Sequence, residues 1–143
     1  MTQIDFYILK SPQGNNRLAF ACRLVEKVYK QGYGILIQTE SSRQSEEMDD
    51  LLWTWRQGSF IPHEVLDRPE HITAPIVINH QPGVDIPINQ VLINLASEVP
   101  KFFSHFERVA EIVDHDDKTR QSARQRYRFY QDRGYPLASH DIQ

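Results

Sequence analysis

Five short apolar runs recur along the chain and limit its possible folds: Ile4–Leu9 (IDFYIL), Ile35–Ile37, Ala74–Asn79 (APIVIN), Gln90–Asn94 (QVLIN) and Arg108–Asp114 (RVAEIVD). Each is dominated by β-branched, aliphatic or aromatic residues and reads as a buried strand. Helical patterns separate them. From Arg17 to Gln31, Leu18, Ala21, Cys22, Val25 and Val28 recur at spacings of three and four, and Gly32 and Gly34 end the pattern. Ser41 or Ser42 can cap a second helix whose apolar face is Met48, Leu51, Leu52 and Trp55. Pro100–His105 begins a helix that brings Phe102, Phe103 and Phe106 to one core. Asp116 or Asp117 caps a last, basic helix, which Gly134 ends ahead of Tyr135 and Pro136. Strands alternating with amphipathic helices predict an α/β sandwich around a mostly parallel sheet.

The length of 143 residues suits one domain, and no composition shift, repeat or low-complexity tract divides residues 1–143. Apolar runs of a few residues fall far short of the roughly 20 that cross a bilayer. The start, MTQIDFYIL, lacks the basic flank and cleavage site of a signal peptide. Cys22 is the only cysteine, so an internal disulfide is impossible and a reducing compartment is expected. These features predict a soluble, cytoplasmic domain with no membrane contact.

Charge is unevenly distributed. The formal net charge is −3, yet Lys118, Arg120, Arg124, Arg126, Arg128 and Arg133 crowd one stretch in which Asp132 is the only acid. Tyr127, Phe129 and Tyr130 are interleaved with them. A local basic patch on an acidic chain favours a small anionic partner or an acidic peptide over indiscriminate coating of nucleic acid. On a helix, Arg120, Arg124, Tyr127, Arg128 and Gln131 share a face, placing three guanidinium groups around one ring. Guanidinium groups grip carboxylates and phosphates through paired hydrogen bonds. The same face could hold a single-stranded nucleic acid with a stacked base. Ala123 and Tyr130 are expected to face the core, and Arg126 and Arg133 to be plain solvated charge. A second candidate surface is the segment from Trp53 to His63, where large apolar residues occupy a connection and serve either core or partner.

The residues offer no active site. The loop Lys10–Asn16 has one glycine and no phosphate-loop pattern, and Gly32-Tyr33-Gly34 lies after a helix rather than before one. The histidines His63, His71, His80, His105, His115 and His140 are scattered, without a metal-site spacing. His115-Asp116-Asp117 reads as a helix cap rather than a metal site. Glu46, Glu47, Asp49 and Asp50 read as solvated charge, and Cys22, on an apolar helix face, as core. No serine sits in a G-x-S-x-G elbow. An α/β enzyme with an unrecognised site stays open as a rival, as does a direct single-strand-binding module.

The opening IDFYIL, the segment LLWTWRQGSFIPH and the closing SARQRYRFYQDRGYPL together resemble the chi subunit of bacterial DNA polymerase III. The S-F-[IV]-P-H segment and the A-R-x-R-Y-[KR]-x-Y helix carry that resemblance, which runs from end to end. It implies a Rossmann-like three-layer fold without a working nucleotide site, and a non-catalytic, cofactor-free role in the clamp-loader assembly. It implies pairing with the psi subunit through Phe60, Ile61, Pro62 and His63. It further implies binding of the acidic C-terminal tail of single-stranded-DNA-binding protein by Arg120, Arg124, Tyr127 and Arg128. Contact with single-stranded DNA would then be indirect, and a helicase is a further partner to be considered at the Phe60 surface. Relative to better-known members, the Asp114–Thr119 stretch is shortened, and Gln131 stands where a basic residue is often found.

Overall fold

The structure is a computed structural model that describes residues 1–11, 17–55, 60–66, 71–83 and 85–143. Most of the first loop (12–16), part of the Trp53–His63 segment (56–59) and position 84 of the His80–Pro87 connection lie outside the described residues. The elements in chain order are β1 (Gln3–Leu9), α1 (Arg17–Lys30), β2 (Ile35–Gln38), α2 (Ser42–Thr54), β3 (His63–Val65) and β4 (Ile76–Asn79). They continue with β5 (Val91–Asn94), β6 (Arg108–Val113), α3 (Asp117–Asp132) and β7 (Leu137–Ile142).

Among the described residues, seven strands form one sheet in the order β3-β4-β2-β5-β6-β1-β7, and every pairing is parallel. The continuous apolar runs follow from this, because a parallel sheet is covered on both faces. Strand alternation divides the core in two. Ile35, Ile37, Ile76, Ile78, Ile93 and Ile112 pack with α1 and α2 on one face. Ile4, Phe6, Leu36, Val77, Leu92 and Val109 pack with α3 and with Phe103 and Phe106 on the other. The layers are helix, sheet and helix: an α/β three-layer sandwich.

Two expectations about elements need correction. Residues Pro100–His105 form only a short 3-10 turn, Phe103–His105, that presses Phe103 and Phe106 into the core. The sheet also has two more strands than the apolar runs announce. β3 is only three residues long, and β7 (LASHDI) is an edge strand, half solvated and polar at Ser139, His140 and Asp141. An edge strand does not require a continuous apolar sequence.

The α3 helix, which positions the basic residues, is defined at both ends. Asp116 caps its start by accepting from the Thr119 amide at 3.1 Å. At its end Gly134 has φ +76°, and two bonds run back, Tyr135 N–H to Tyr130 C=O and Gly134 N–H to Gln131 C=O. This six-to-one and five-to-two pair is the Schellman arrangement, which a glycine accommodates without a side-chain clash. The chain then enters β7 directly.

Candidate functional site: a cationic trough at one sheet edge

The basic residues of α3 fall into two groups. Arg126 does not stand in solvent as its sequence suggested. It is 3 % exposed and its Nε donates to Glu111 Oε1 at 2.9 Å. Nη1 donates to the Ser97 carbonyl and to Ser122 Oγ. Glu111, on β6, is fully buried and also accepts from Tyr130 OH at 2.8 Å and Asn94 Nδ2 at 3.0 Å. Burial, with the Glu111 charge beside it, pushes the Tyr130 hydroxyl well above its ordinary pKa. Three donors on one carboxylate offset the burial of that charge and tie α3 to β6. Arg133 is exposed but also engaged, its guanidinium lying 3.6 Å from the centre of the Phe129 ring.

Arg120, Arg124 and Arg128 differ from these. None makes a side-chain hydrogen bond or ion pair with the described residues. Arg120 is half-buried, while Arg124 and Arg128 are exposed. Arg120, Arg124 and Tyr127 line a cavity of about 250 Å³ together with Phe6, Ile8, Lys10, Val113, Ala123 and Ser139. Its floor is apolar: Phe6 and Ile8 project from β1 and Val113 from β6. Phe6 holds the Tyr127 ring edge-on, with centroids 5.2 Å apart. Its rim carries Arg120, Arg124 and Lys10. Arg128 is the next residue beyond Tyr127 and lies outside the lining. An apolar floor under a cationic rim suits a ligand with one apolar side chain beside a carboxylate. The volume is below the roughly 300–1,000 Å³ of small-molecule pockets, so a side chain fits better than a dinucleotide.

Sequence spacing located the helical wall of this trough but missed its floor and Lys10. The available signal was the period-2 pattern of β1, which puts Phe6 and Ile8 on one face with Lys10 next in phase.

The second candidate surface lies at the opposite edge of the sheet, beside β3. Phe60 is 67 % exposed and Trp53 is 56 % exposed, with ring centroids 5.6 Å apart, and Val65 is partly exposed. Ile61 and His63 are buried and Pro62 is half-buried. His63 therefore supports the surface from beneath: its ring lies 4.8 Å from that of Trp53, and its Nδ1 is 2.7 Å from the Ile61 carbonyl. Its Nε2 stands 3.0 Å from an Asp49 carboxylate oxygen, off the hydrogen-bond direction. Trp55 packs on the core, as its helical position predicted.

At the carboxyl ends of β2, β5 and β6, where folds of this kind hold nucleotides, Arg17 and Glu40 are already engaged. Arg17 donates Nη2 to the Leu95 carbonyl at 2.6 Å and Nε to the Ile112 carbonyl at 3.1 Å. Glu40 accepts from the Ser97 amide at 2.6 Å and its hydroxyl at 3.0 Å. Away from those ends Asp5 accepts from Arg108 at 3.2 Å and meets His140 Nε2 at 3.1 Å. It borders a cavity of about 620 Å³ that no serine, threonine or cysteine lines among the described residues. Cys22 is fully buried and burial pushes its thiol up to about 12, which is core chemistry. No group of three His, Cys, Asp or Glu among the described residues could hold a metal, and no helix there is long and apolar enough to cross a membrane.

Comparison with known proteins decides the family. The family model "DNA polymerase III chi subunit, HolC" matches residues 1–138. The chain belongs to the DNA polymerase III chi subunit family. The DNA polymerase III subunit chi of Pseudomonas aeruginosa is 38 % identical over 142 residues, covering 99 % of this chain and 98 % of the relative. Those of Haemophilus influenzae and Escherichia coli are 29 % and 26 % identical, each over 96 % of both chains. Among solved structures, that of T4 UvsW superposes with a TM-score of 0.67 at 8 % identity, covering 99 % of this chain and 41 % of that one. That likeness is one of fold, Rossmann-like, and the chain spans less than half the length of UvsW. Chi-family membership makes the protein an accessory subunit of DNA polymerase III, placing it in the bacterial replication machinery.

Proposed function

We propose that this chi-family protein is a non-catalytic adaptor, residues 1–143 acting as one unit with a different partner at each edge of its sheet. At the β7 edge the trough takes the acidic C-terminal tail of single-stranded-DNA-binding protein. An apolar side chain of the tail lies over Phe6 and Ile8, and Arg120 and Arg124 hold its carboxylates, with Arg128 adding to the field. At the β3 edge the Trp53–Phe60 surface takes the psi subunit, with Ile61, Pro62 and His63 holding Phe60 in place. The protein then works in the cytoplasm, needs no cofactor, and meets single-stranded DNA through the protein that coats it.

The observation that carries this reading is the pairing of uncommitted arginines with an apolar floor in a cavity of about 250 Å³. A nucleic-acid backbone would use the cations but not the floor. The test is a calorimetric titration with the acidic tail peptide in the absence of DNA. Binding by the native protein, weakened at least tenfold in Arg124→Ala, is expected for a charged contact of this kind. Unchanged affinity in Arg124→Ala would remove the trough from the account.

A further inference from the structure

The trough holds one cation that α3 does not supply. Lys10 follows the last residue of β1, and its amide is fixed by donation to the Ile142 carbonyl at 2.8 Å. Its side chain lines the cavity beside Arg120 and Arg124. Its Nζ also stands 3.7 Å from Asp141 Oδ1, with the two side chains 42 % and 61 % exposed. Asp141 pairs with Ile8 in the register of β1 and β7, as Ser139 pairs with Phe6, so Asp141 and Ser139 share the face of β7 that borders the trough. An exposed pair at this distance contributes little to stability, and a ligand carboxylate can displace Asp141 at little cost.

We propose that Lys10 is a carboxylate contact of the trough and that Asp141 is a built-in competitor for it, so that the pair sets affinity for an acidic peptide. This inference rests on the reading of the trough as a peptide site. Without ligand, Asp141 occupies the coordination that Lys10 offers. With ligand, Lys10 turns to the incoming carboxylate and the rim presents three cations from two separate elements. Specificity follows as well. A peptide acidic near its anchored residue engages α3 and Lys10 together, whereas one with a single carboxylate engages α3 alone.

The experiment is a fluorescence-anisotropy titration at low salt with a synthetic peptide carrying several aspartates and a C-terminal phenylalanine. Native protein, Lys10→Ala, Asp141→Asn, the double variant and Arg124→Ala are compared, and melting curves confirm that each is folded. Lys10→Ala should weaken binding about fivefold and Asp141→Asn should strengthen it about threefold, within the range of exposed charge pairs. In the Lys10→Ala background the Asp141→Asn gain should vanish. Unchanged affinity in Lys10→Ala overturns the inference, and so does an Asp141→Asn gain that survives the loss of Lys10, since that reports general charge only. If Arg124→Ala alone weakens binding, the trough stands and the role of the pair falls. If Arg124→Ala is also without effect, the peptide site itself is misplaced.

Discussion

At the β3 edge of the sheet, Trp53, Phe60 and Val65 leave apolar surface in water, while at the β7 edge the exposed chemistry is the cations of α3 and Lys10. Six strand spacings separate the two edges, roughly 29 Å along the sheet. One fold thus displays two surface chemistries with different physical dependences. Exposed apolar side chains such as Phe60 contribute to binding by removing area from water, a contribution nearly indifferent to salt. Cationic rims act through fields that salt screens within about 10 Å at ordinary ionic strength. The trough and the Trp53–Phe60 surface share no residue among those described.

The largest expected effect bears on the support of only one edge. Arg126→Ala would leave Glu111 buried and charged without its ion partner, costing about 3–5 kcal/mol of stability in urea unfolding. A loss under about 1 kcal/mol would mean that the Arg126 pair does not anchor α3. Next, Phe60→Ala should weaken psi pairing by about 2 kcal/mol or more, as a central aromatic anchor does. Peptide affinity should stay unchanged in the same variant, so undiminished co-purification with psi argues against Phe60 as the anchor. Arg124→Ala should show the reverse pattern: peptide affinity falls tenfold or more, about 1.4 kcal/mol, while psi pairing is kept. The smallest effect sharpens the contrast in chemistry. Raising salt from low to moderate ionic strength should reduce peptide affinity several-fold and leave psi pairing nearly level. Equal salt responses of the two complexes would break the distinction.

The central layer of the fold was legible because the buried strands carry near-continuous aliphatic runs that few other arrangements tolerate. The strands at the two edges were not, since β3 is three residues long and LASHDI need not be apolar where one side meets solvent. Helical spacing placed Arg120, Arg124 and Tyr127 on one face, and the structure brings all three to one cavity. The same spacing misjudged Arg126. It says which residues share a face, not which charge the opposing layer demands. A sign was nevertheless present: Glu111 is the lone acid inside RVAEIV, in phase with Val109 and Val113, and a carboxylate on a covered face requires a partner. Lys10 escaped notice because it comes from the far end of the sequence and joins α3 only through the pairing of β1 with β6 and β7.

The claim that the two edges act independently is tested most directly by titrating the acidic tail peptide into the free protein and into its complex with psi. The same affinity and one-to-one stoichiometry are expected in both titrations, giving a ternary complex. Loss of peptide binding in the psi complex, or release of psi by the peptide, would contradict it.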